Sequence, residues 1–247
     1  MGLRLVFADL DDTLFSTPRK QSEPSVCTPV SWDPEGRPSG VASPTQKALW
    51  TWLEQWGEVV PVTTRMLHQL ERVSLKFAPH AVWNHGASIR MNGVRDEVWH
   101  ARTLSVLEPL QDVFRCLTED LAAAGSWPAA VVREQSDLDG RVGRLILKQK
   151  GSNLGARAAE LRARVGAVAP AGSLWVHAQR DNLAILPCGL TKRGAVRHLI
   201  DVLRPTSTVG IGDSPSDVPF MRECDFCMFP RQSLALETFG NAEEDAA

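Results

Sequence analysis

A short apolar run near the beginning of this chain ends in acidic residues and limits the folds that the chain can adopt. Residues 3–8 read LRLVFA, and Asp9 and Asp11 follow directly. The run is hydrophobic without alternation, which is typical of a strand that is buried on both faces of a parallel sheet. It therefore predicts a parallel α/β core with acidic groups at the carboxyl end of a strand.

The same arrangement recurs further along the chain. Three later strand-like runs also end in polar residues: 59–62 before Thr63, 81–83 before Asn84, and 207–211 before Gly212 and Asp213. Helical patterns at about 44–56, 66–77 and 192–202 alternate with these runs. This alternation predicts a Rossmann-like α/β fold built on a parallel sheet.

The segment 16–43 differs because it is rich in proline, serine and glycine, which predicts a long loop or flap whose role the sequence leaves open. The stretch 32–38 is expected to turn a small hairpin at its tip. Ser43 and Pro44 then have the pattern of an N-cap followed by proline at the first helical position. The residues at helical spacing in that helix are expected to form a core-facing stripe: Leu49, Trp52, Leu53 and Trp56.

Between residues 88 and 187 the pattern changes to that of an α+β unit. Alternation around Asn92-Gly93 predicts a hairpin over 89–99. The elements expected after it are a helix at about 104–124, strands at 129–134 and 142–148, a helix at 153–165, and strands at 174–178 and 183–186. We therefore predict a core made of 1–87 and 188–247 that carries an inserted α+β cap domain, 88–187.

Composition excludes several other classes of protein. The net charge of −2 gives no electrostatic reason to expect nucleic acid or an anionic membrane as partner. No stretch approaches the roughly 18 apolar residues of a membrane span, and the beginning of the chain lacks the features of a signal peptide. We expect a cytoplasmic protein, either a monomer or a homodimer, with reduced thiols. Cys224 and Cys227 form a C-x-x-C pair, interpreted as core residues, with a redox pair as the alternative.

The polar residues at the strand ends are expected to lie together. Sites in open parallel sheets form beyond the carboxyl ends of the strands, so Asp9, Asp11, Thr63 and Asp213 should converge. Clustered carboxylates repel one another unless a cation lies among them. Oxygen ligands suit Mg²⁺, and no cluster of histidine or cysteine indicates a softer metal.

Such a site has the groups that phosphoryl transfer needs. A carboxylate can attack phosphorus once the charge of the phosphate is neutralised, and a second carboxyl can protonate the leaving alcohol and later activate water. A threonine hydroxyl can donate to a phosphoryl oxygen, and Lys192 can neutralise charge on the transferring group.

These residues also resemble a known family. The run DLDDT at 9–13, Thr63 after the next strand, Lys192 at the start of a helix, and GDSPSD at 212–217 resemble the four ordered motifs of the haloacid dehalogenase superfamily. The resemblance implies that Asp9 is the nucleophile, Asp11 the general acid/base, and Thr63 and Lys192 the groups that hold the phosphoryl group.

The resemblance also implies a metal site and a subgroup. Mg²⁺ would bind the Asp9 carboxylate, the Asp11 main-chain carbonyl and Asp213, and Asp217 would support the metal or orient Lys192. A cap inserted between the second motif and the lysine, with helix-strand-strand twice over, is similar to the C2 (IIB) type. Within that type the chain is most similar to sucrose-phosphate-phosphatase-like and Cof-like sugar phosphatases.

Three motif positions differ from the usual family pattern. Thr64 replaces a glycine, Ser216 replaces an asparagine, and the usual N-G-A is extended to Asn84-His-Gly-Ala. None of these changes removes a proposed catalytic group. Each touches the wall that would hold the phosphate or the substrate.

The residues predicted to bind substrate are Thr64, Arg65, Asn84 and Arg180. Several alternatives remain open from the sequence alone. Thr64 could replace Thr63 as the working hydroxyl, and Arg65 could pair with a carboxylate instead of the substrate. Lys192 could be a surface lysine, and Asp217 could simply cap a helix.

The sequence predicts a Mg²⁺-dependent phosphatase for a small-molecule phosphate ester, in the first place a sugar phosphate, acting through an aspartyl-phosphate on Asp9. A cap that closes over the site would select the leaving group. The alternatives are a sugar phosphomutase or phosphotransferase with the same intermediate, and a catalytically silent regulator.

Overall fold

The computed structural model describes residues 2–128, 131–134, 136–179 and 181–236. The chain divides into two compact units. Glu97–Thr191 forms one of them, and the segments before and after it form the other. The division after Asp96 lies later than the limit of 87 predicted from the sequence, because the strands that follow residue 87 pair with a strand of the first unit.

The first unit contains, in chain order, the strands β1 (Arg4–Ala8), β2 (Thr28–Trp32), β3 (Pro38–Ala42), β4 (Glu58–Pro61), β5 (Ala81–Trp83), β6 (Ser88–Met91), β7 (Val94–Arg95), β12 (Ser207–Ile211) and β13 (Phe226–Met228). Its helices are α1 (Pro44–Trp56), α2 (Leu67–Leu70), α6 (Lys192–Leu203) and α7 (Val218–Met221).

A parallel sheet forms the centre of this unit, in the order β13-β12-β1-β4. Its central strand β1 is the apolar run found at the start of the sequence, and residues 5–8 are fully buried. An isolated parallel bridge between Val62 and Val82 brings the end of β5 next to the end of β4. The register places Ala8 beside both Ile211 and Pro61, so the polar residues after β1, β4 and β12 leave the sheet at the same edge.

The helix α1 begins as its sequence predicts. Ser43 and Gln46 form a reciprocal capping box, and Pro44 occupies the first helical turn. The prediction of the apolar stripe was wrong at one position, since Trp52 is 46% exposed and Trp50 packs against the core instead. Leu53 is the buried centre of this face, and Trp52 lies about 100° away from it around the helix.

The proline-rich segment contains a regular element. Strands β2 and β3 form an antiparallel hairpin, and the predicted turn at 32–38 connects them. Asp33 organises this turn by accepting hydrogen bonds from the N–H groups of Glu35 and Arg37. Backbone bridges between Ser16 and Val41 and between Ser31 and Val73 hold the hairpin against the rest of the unit.

The second unit is α+β. Its sheet is antiparallel in the order β10-β11-β9-β8, made of β8 (Val131–Glu134), β9 (Val142–Lys148), β10 (Leu174–Gln179) and β11 (Asn182–Pro187). Its helices are α3 (Glu97–Leu107), α4 (Gln111–Ala123) and α5 (Ala158–Val168).

Two details of this unit differ from the sequence-based expectation. The helix predicted at 104–124 is two helices, because Pro109 has no N–H to continue the hydrogen-bond ladder and a short 3-10 turn replaces it. Residues 97–99, predicted to end a strand, begin α3 instead. Across the described parts of the chain, no helix is both long and apolar enough to cross a membrane.

Candidate active site

Asp9 lies at the centre of the candidate site, directly after β1. Its backbone N–H donates to the carbonyl of Ile211, 2.9 Å away, so Asp9 sits beside the end of β12. Asp213 follows that strand. One carboxylate oxygen from each of Asp9, Asp213 and Asp217 lies within 4.8 Å of the others. The structure therefore brings together acidic residues from the beginning and the end of the chain.

Lys192 is the cation among these carboxylates. It is the first residue of α6 and is only 3% exposed, which excludes the surface-lysine alternative. Its ammonium Nζ donates to Oδ1 of Asp9 at 2.6 Å and to Oδ1 of Asp217 at 2.7 Å. Both bonds are charge-assisted and lie away from water, so they hold the lysine in one orientation.

Asp217 holds Lys192 and a loop at the same time. Its Oδ2 accepts hydrogen bonds from the backbone N–H and the hydroxyl of Ser214, at 3.1 and 2.7 Å, and its side chain makes no capping hydrogen bond to α7. Asp217 occupies the N-cap position of α7, but its side chain does not cap that helix, so capping does not explain where the carboxylate lies. Gly212 makes this arrangement possible, because a Cβ there would lie 2.5 Å from the Cβ of Asp217.

The charges of this cluster favour a cation. The pKa of Asp9 is raised to about 8: burial is the largest cause, Lys192 lowers the pKa, and the nearby Asp217 raises it. The pKa of Asp213 is raised to about 6, chiefly by burial and also by Asp217 and Asp12, while Lys192 and Thr13 lower it. Burial alone would lower the pKa of Lys192, but Asp9 and Asp217 outweigh that effect and raise it.

Three carboxyl groups thus face one ammonium group, and the cluster carries an excess of negative charge when they are ionised. Its donors are carboxylate oxygens, the ligand type that Mg²⁺ prefers. The residues present therefore fit the predicted metal. The mutually close carboxylates are those of Asp9, Asp213 and Asp217, whereas the carboxylate of Asp11 is bound elsewhere.

The side chain of Asp11 is held by Arg65. Arg65 Nε donates to Oδ2 of Asp11 at 2.9 Å, and Nη2 donates to Oδ1 at 2.8 Å. The third nitrogen, Nη1, donates to the hydroxyl of Ser31 at 2.8 Å. The alternative in which Arg65 pairs with a carboxylate is therefore the one that the structure contains, and the carboxylate belongs to the proposed acid/base.

The chain turns sharply just after Asp11. Asp12 has a positive φ of 63°, and its side chain pairs with Lys20. The carbonyl of Leu10 accepts N–H groups from the residues that follow, closing a compact turn. Thr13 then donates from Oγ1 to Oδ1 of Asp213 at 3.3 Å. Thr13 was not predicted as a site residue from the sequence, although its place in the DLDDT motif was a usable signal.

The two threonines after β4 have different surroundings. Thr63 is buried, its N–H donates to the carbonyl of Val82, and its Oγ1 accepts the N–H of Arg65 at 3.1 Å. The hydroxyl proton of Thr63 is not used by this bond. Thr64 is exposed.

Asn84 lies where β5 ends, in a short 3-10 turn, and it has a positive φ of 54°. Its N–H donates to the carbonyl of Arg65 at 2.7 Å, and the N–H of His85 donates to the carbonyl of Thr63 at 3.1 Å. The turn therefore fixes the backbone that carries Thr63 and Arg65. Arg180, the fourth predicted substrate-binding residue, lies outside the described residues.

No protein-family model matches the sequence, and no curated protein matches it significantly. Solved structures with a similar fold do exist. A sucrose-phosphatase from Synechocystis sp., in complex with sucrose and phosphate, superposes with a TM-score of 0.61 at 14% identity, covering 99% of this chain and 99% of that chain. The C-terminal domain of a trehalose-6-phosphate phosphatase from C. albicans has a TM-score of 0.57 at 16% identity, covering 100% of this chain and 78% of that chain.

A third structure, a trehalose-6-phosphate phosphatase related protein, has a TM-score of 0.51 at 16% identity, covering 97% of this chain and 99% of that chain. At these identities the comparisons show the fold. They confirm the predicted α/β class, with a parallel-sheet core and an inserted α+β unit. This is the fold that was expected from the resemblance to the haloacid dehalogenase superfamily.

Proposed function

We propose that this chain is a Mg²⁺-dependent phosphatase that hydrolyses a small-metabolite phosphate monoester through an aspartyl-phosphate on Asp9. The observation that carries the proposal is the buried contact of Lys192 with both Asp9 and Asp217. A surface cluster of acidic residues has no need to bury a lysine among its carboxylates. An ammonium group in this position can neutralise charge on a nucleophile and on a bound phosphoryl group.

In the proposed reaction, a carboxylate oxygen of Asp9 attacks phosphorus, and the bond between phosphorus and the ester oxygen breaks. Asp11 gives its proton to the departing alcohol oxygen. In the second step Asp11 takes a proton from water, the water oxygen attacks phosphorus, and the bond to Asp9 breaks to release inorganic phosphate. The hydroxyl of Thr63 donates to a phosphoryl oxygen, and Lys192 stabilises the negative charge.

The carboxylates of Asp9 and Asp213 and the main-chain carbonyl of Asp11 are the groups that we assign to Mg²⁺. When bound, Mg²⁺ would neutralise part of the charge of the phosphate. Both carboxylate oxygens of Asp217 are engaged by Lys192 and Ser214. We therefore assign Asp217 chiefly to the orientation of Lys192.

The proposed substrate class is a sugar phosphate. The support is the fold, because the similar solved structures include a sucrose-phosphatase and a trehalose-6-phosphate phosphatase domain. Thr64, Asn84 and Arg180 stay as proposed substrate-binding residues. Arg65 was predicted to bind substrate or to pair with a carboxylate, and its guanidinium is engaged by Asp11 and Ser31 in this structure.

The test is phosphate release from a panel of sugar phosphates and other monoesters, with Mg²⁺ and with EDTA. We expect turnover that requires Mg²⁺ and that disappears in Asp9→Asn. The matched control is Asp201→Asn, an exposed carboxylate on α6 far along the helix from Lys192, which should keep full activity. Circular dichroism of each variant separates loss of activity from loss of fold.

Silence of the folded parent protein across the panel would contradict a general phosphatase. Transfer of phosphate to an added sugar acceptor would then assign a phosphomutase or phosphotransferase. If no phosphate is transferred to an acceptor and none is incorporated on Asp9, the remaining alternative is a catalytically silent regulator.

A further inference from the structure

We propose that Arg65 is a positioning residue for Asp11 and that the hairpin β2–β3 fixes Arg65 through Ser31. The inference rests on the proposed function, since it assigns Asp11 as the general acid/base. It gives a role to the proline-rich segment, which neither the sequence motifs nor the chemistry of the carboxylate cluster explains.

Arg65 and Asp11 form a fork, a pair of parallel hydrogen bonds between the guanidinium and the carboxylate. Two guanidinium nitrogens donate to the two separate oxygens of one carboxylate, at 2.9 and 2.8 Å. A bidentate pair of this kind restricts rotation of the carboxylate as well as its position. The side chain of Asp11 is about half exposed, so its own packing does not fix it.

Arg65 is itself held by contacts along its whole length. Its backbone N–H donates to Oγ1 of Thr63, and its carbonyl accepts the N–H of Asn84. Its guanidinium carbon lies 4.9 Å from the ring centroid of Phe15, a fully buried residue, which is a cation–π geometry. Arginine normally has many rotamers, so these contacts determine where the fork points.

A hydrogen bond connects the guanidinium of Arg65 to the hairpin. Nη1 of Arg65 donates to the hydroxyl of Ser31 on β2, and Ser31 is fully buried. The hydroxyl of Ser31 also lies 3.1 Å from that of Ser39 on β3, so both strands hold the contact. At Gly40 a Cβ would lie 2.7 Å from the ring of Phe15, which shows how closely β3 packs on the residue beneath Arg65.

The hairpin, Arg65 and Asp11 thus form one connected arrangement inside the first unit. A general acid must be directed at the oxygen that it protonates, and its benefit is greatest when that oxygen belongs to a poor leaving group. Weakening the fork should therefore slow alkyl phosphates more than aryl phosphates. A change that merely lowers the folded fraction would slow both alike, and an effect on substrate binding would persist in the Asp11→Asn background.

The experiment compares kcat/KM for an alkyl phosphate and for 4-nitrophenyl phosphate, with Mg²⁺, in the parent, Arg65→Lys, Ser31→Ala, Asp11→Asn and the double variant Arg65→Lys/Asp11→Asn. We expect the ratio of alkyl to aryl kcat/KM to fall about tenfold or more in Arg65→Lys, and less but in the same direction in Ser31→Ala. In the Asp11→Asn background, Arg65→Lys should cost nothing further.

The matched control is Arg72→Lys. Arg72 contacts the same hairpin through the carbonyl of Trp32 and makes no contact with Asp11 among the described residues, so the substrate ratio should stay at the parent value. An equal loss for both substrates, or a full additional loss in the Asp11→Asn background, would overturn the inference and assign Arg65 to the fold or to substrate binding. The alkyl phosphate is the sugar phosphate that the parent hydrolyses best in the panel described above, and silence of the folded parent across that whole panel would overturn the proposed function itself.

Discussion

The ammonium of Lys192 lies 2.6 Å from a carboxylate oxygen of Asp9, although the two residues are 183 positions apart in the chain. The contact joins the end of the first strand to the start of α6, on the far side of the second unit in sequence. Both side chains are buried, so the energy of each depends on the presence of the other. The behaviour of this pair therefore provides several tests.

Replacement of the lysine should affect stability and activity together. In Lys192→Met, the buried carboxylates of Asp9 and Asp217 lose their cation, which we expect to cost about 3 kcal/mol of unfolding free energy in EDTA. Phosphate release should fall at least about a hundredfold. Urea unfolding and a phosphate assay check both. Lys47→Met, at an exposed position of α1, is the control and should behave like the parent.

The stability of the metal-free protein should depend on pH. The pKa of Asp9 is raised to about 8 and that of Asp213 to about 6, mainly by burial, from an ordinary value of 3.8. The folded state therefore keeps these protons after the unfolded state has lost them. Their contribution to stability is complete below about pH 4 and is lost as the pH rises through 6 and then 8.

Urea unfolding in EDTA should thus show that stability falls as the pH rises from about 5 to about 9. With saturating Mg²⁺ the fall should be smaller, because a cation bound among the carboxylates favours their ionised forms. Asp9→Asn should remove the upper part of the pH dependence. The same curve in EDTA, in Mg²⁺ and in Asp9→Asn would show that these groups do not govern it.

Gly212 should not tolerate a side chain. In Gly212→Ala the new Cβ would collide with Cβ and Cγ of Asp217. The side chain of Asp217 would have to move, and its hydrogen bonds with Lys192 and Ser214 would be lost. We expect a loss of about 1–3 kcal/mol, together with a fall in kcat. Thermal unfolding and kinetics measure both effects.

Gly166→Ala is the matched control, since nothing lies within 4 Å of a Cβ at that position in α5. It should leave activity unchanged and raise stability by about 0.5–1 kcal/mol, because alanine favours the helix. Equal effects of the two substitutions would contradict the close approach of Gly212 to Asp217.

Cys224 is partly buried and Cys227 is exposed, so the interpretation of the pair as core residues was wrong for Cys227. Cys224 should nevertheless react slowly with alkylating agents. Burial raises the pKa of its thiol to about 12, with Cys227 and Asp225 adding to the shift, so the reactive thiolate is scarce at neutral pH. The folded protein is treated with iodoacetamide at about pH 8, and the labelled cysteines are identified by peptide mass spectrometry. The exposed Cys116 should be modified well before Cys224. Rapid labelling of Cys224, or ready oxidation with Cys227, would favour the redox-pair alternative.

Features that depend on neighbouring residues were predictable from the sequence. The apolar run of β1 reports burial on both faces, and Ser43 with Gln46 marks the start of α1, because strand burial and helix capping involve residues that are close in the chain. Where local patterns conflicted, prediction was wrong. The alternation before α3 continued past residue 96, and the periodic pattern around Pro109 masked a helix break that the proline itself signals.

The parallel α/β core and the site residues Asp9 and Asp213 were predictable from the sequence, because a strand and the polar residue after it are contiguous. Lys192 was predicted from its chemistry and from its place in the ordered motifs, at the start of a helix. The partner of each side chain became known from the folded structure alone. Arg65 meets Asp11 across 54 positions and Thr13 meets Asp213 across 200. Burial periodicity and capping carry no information about such contacts, because they arise only when the sheet register brings separate loops to one edge.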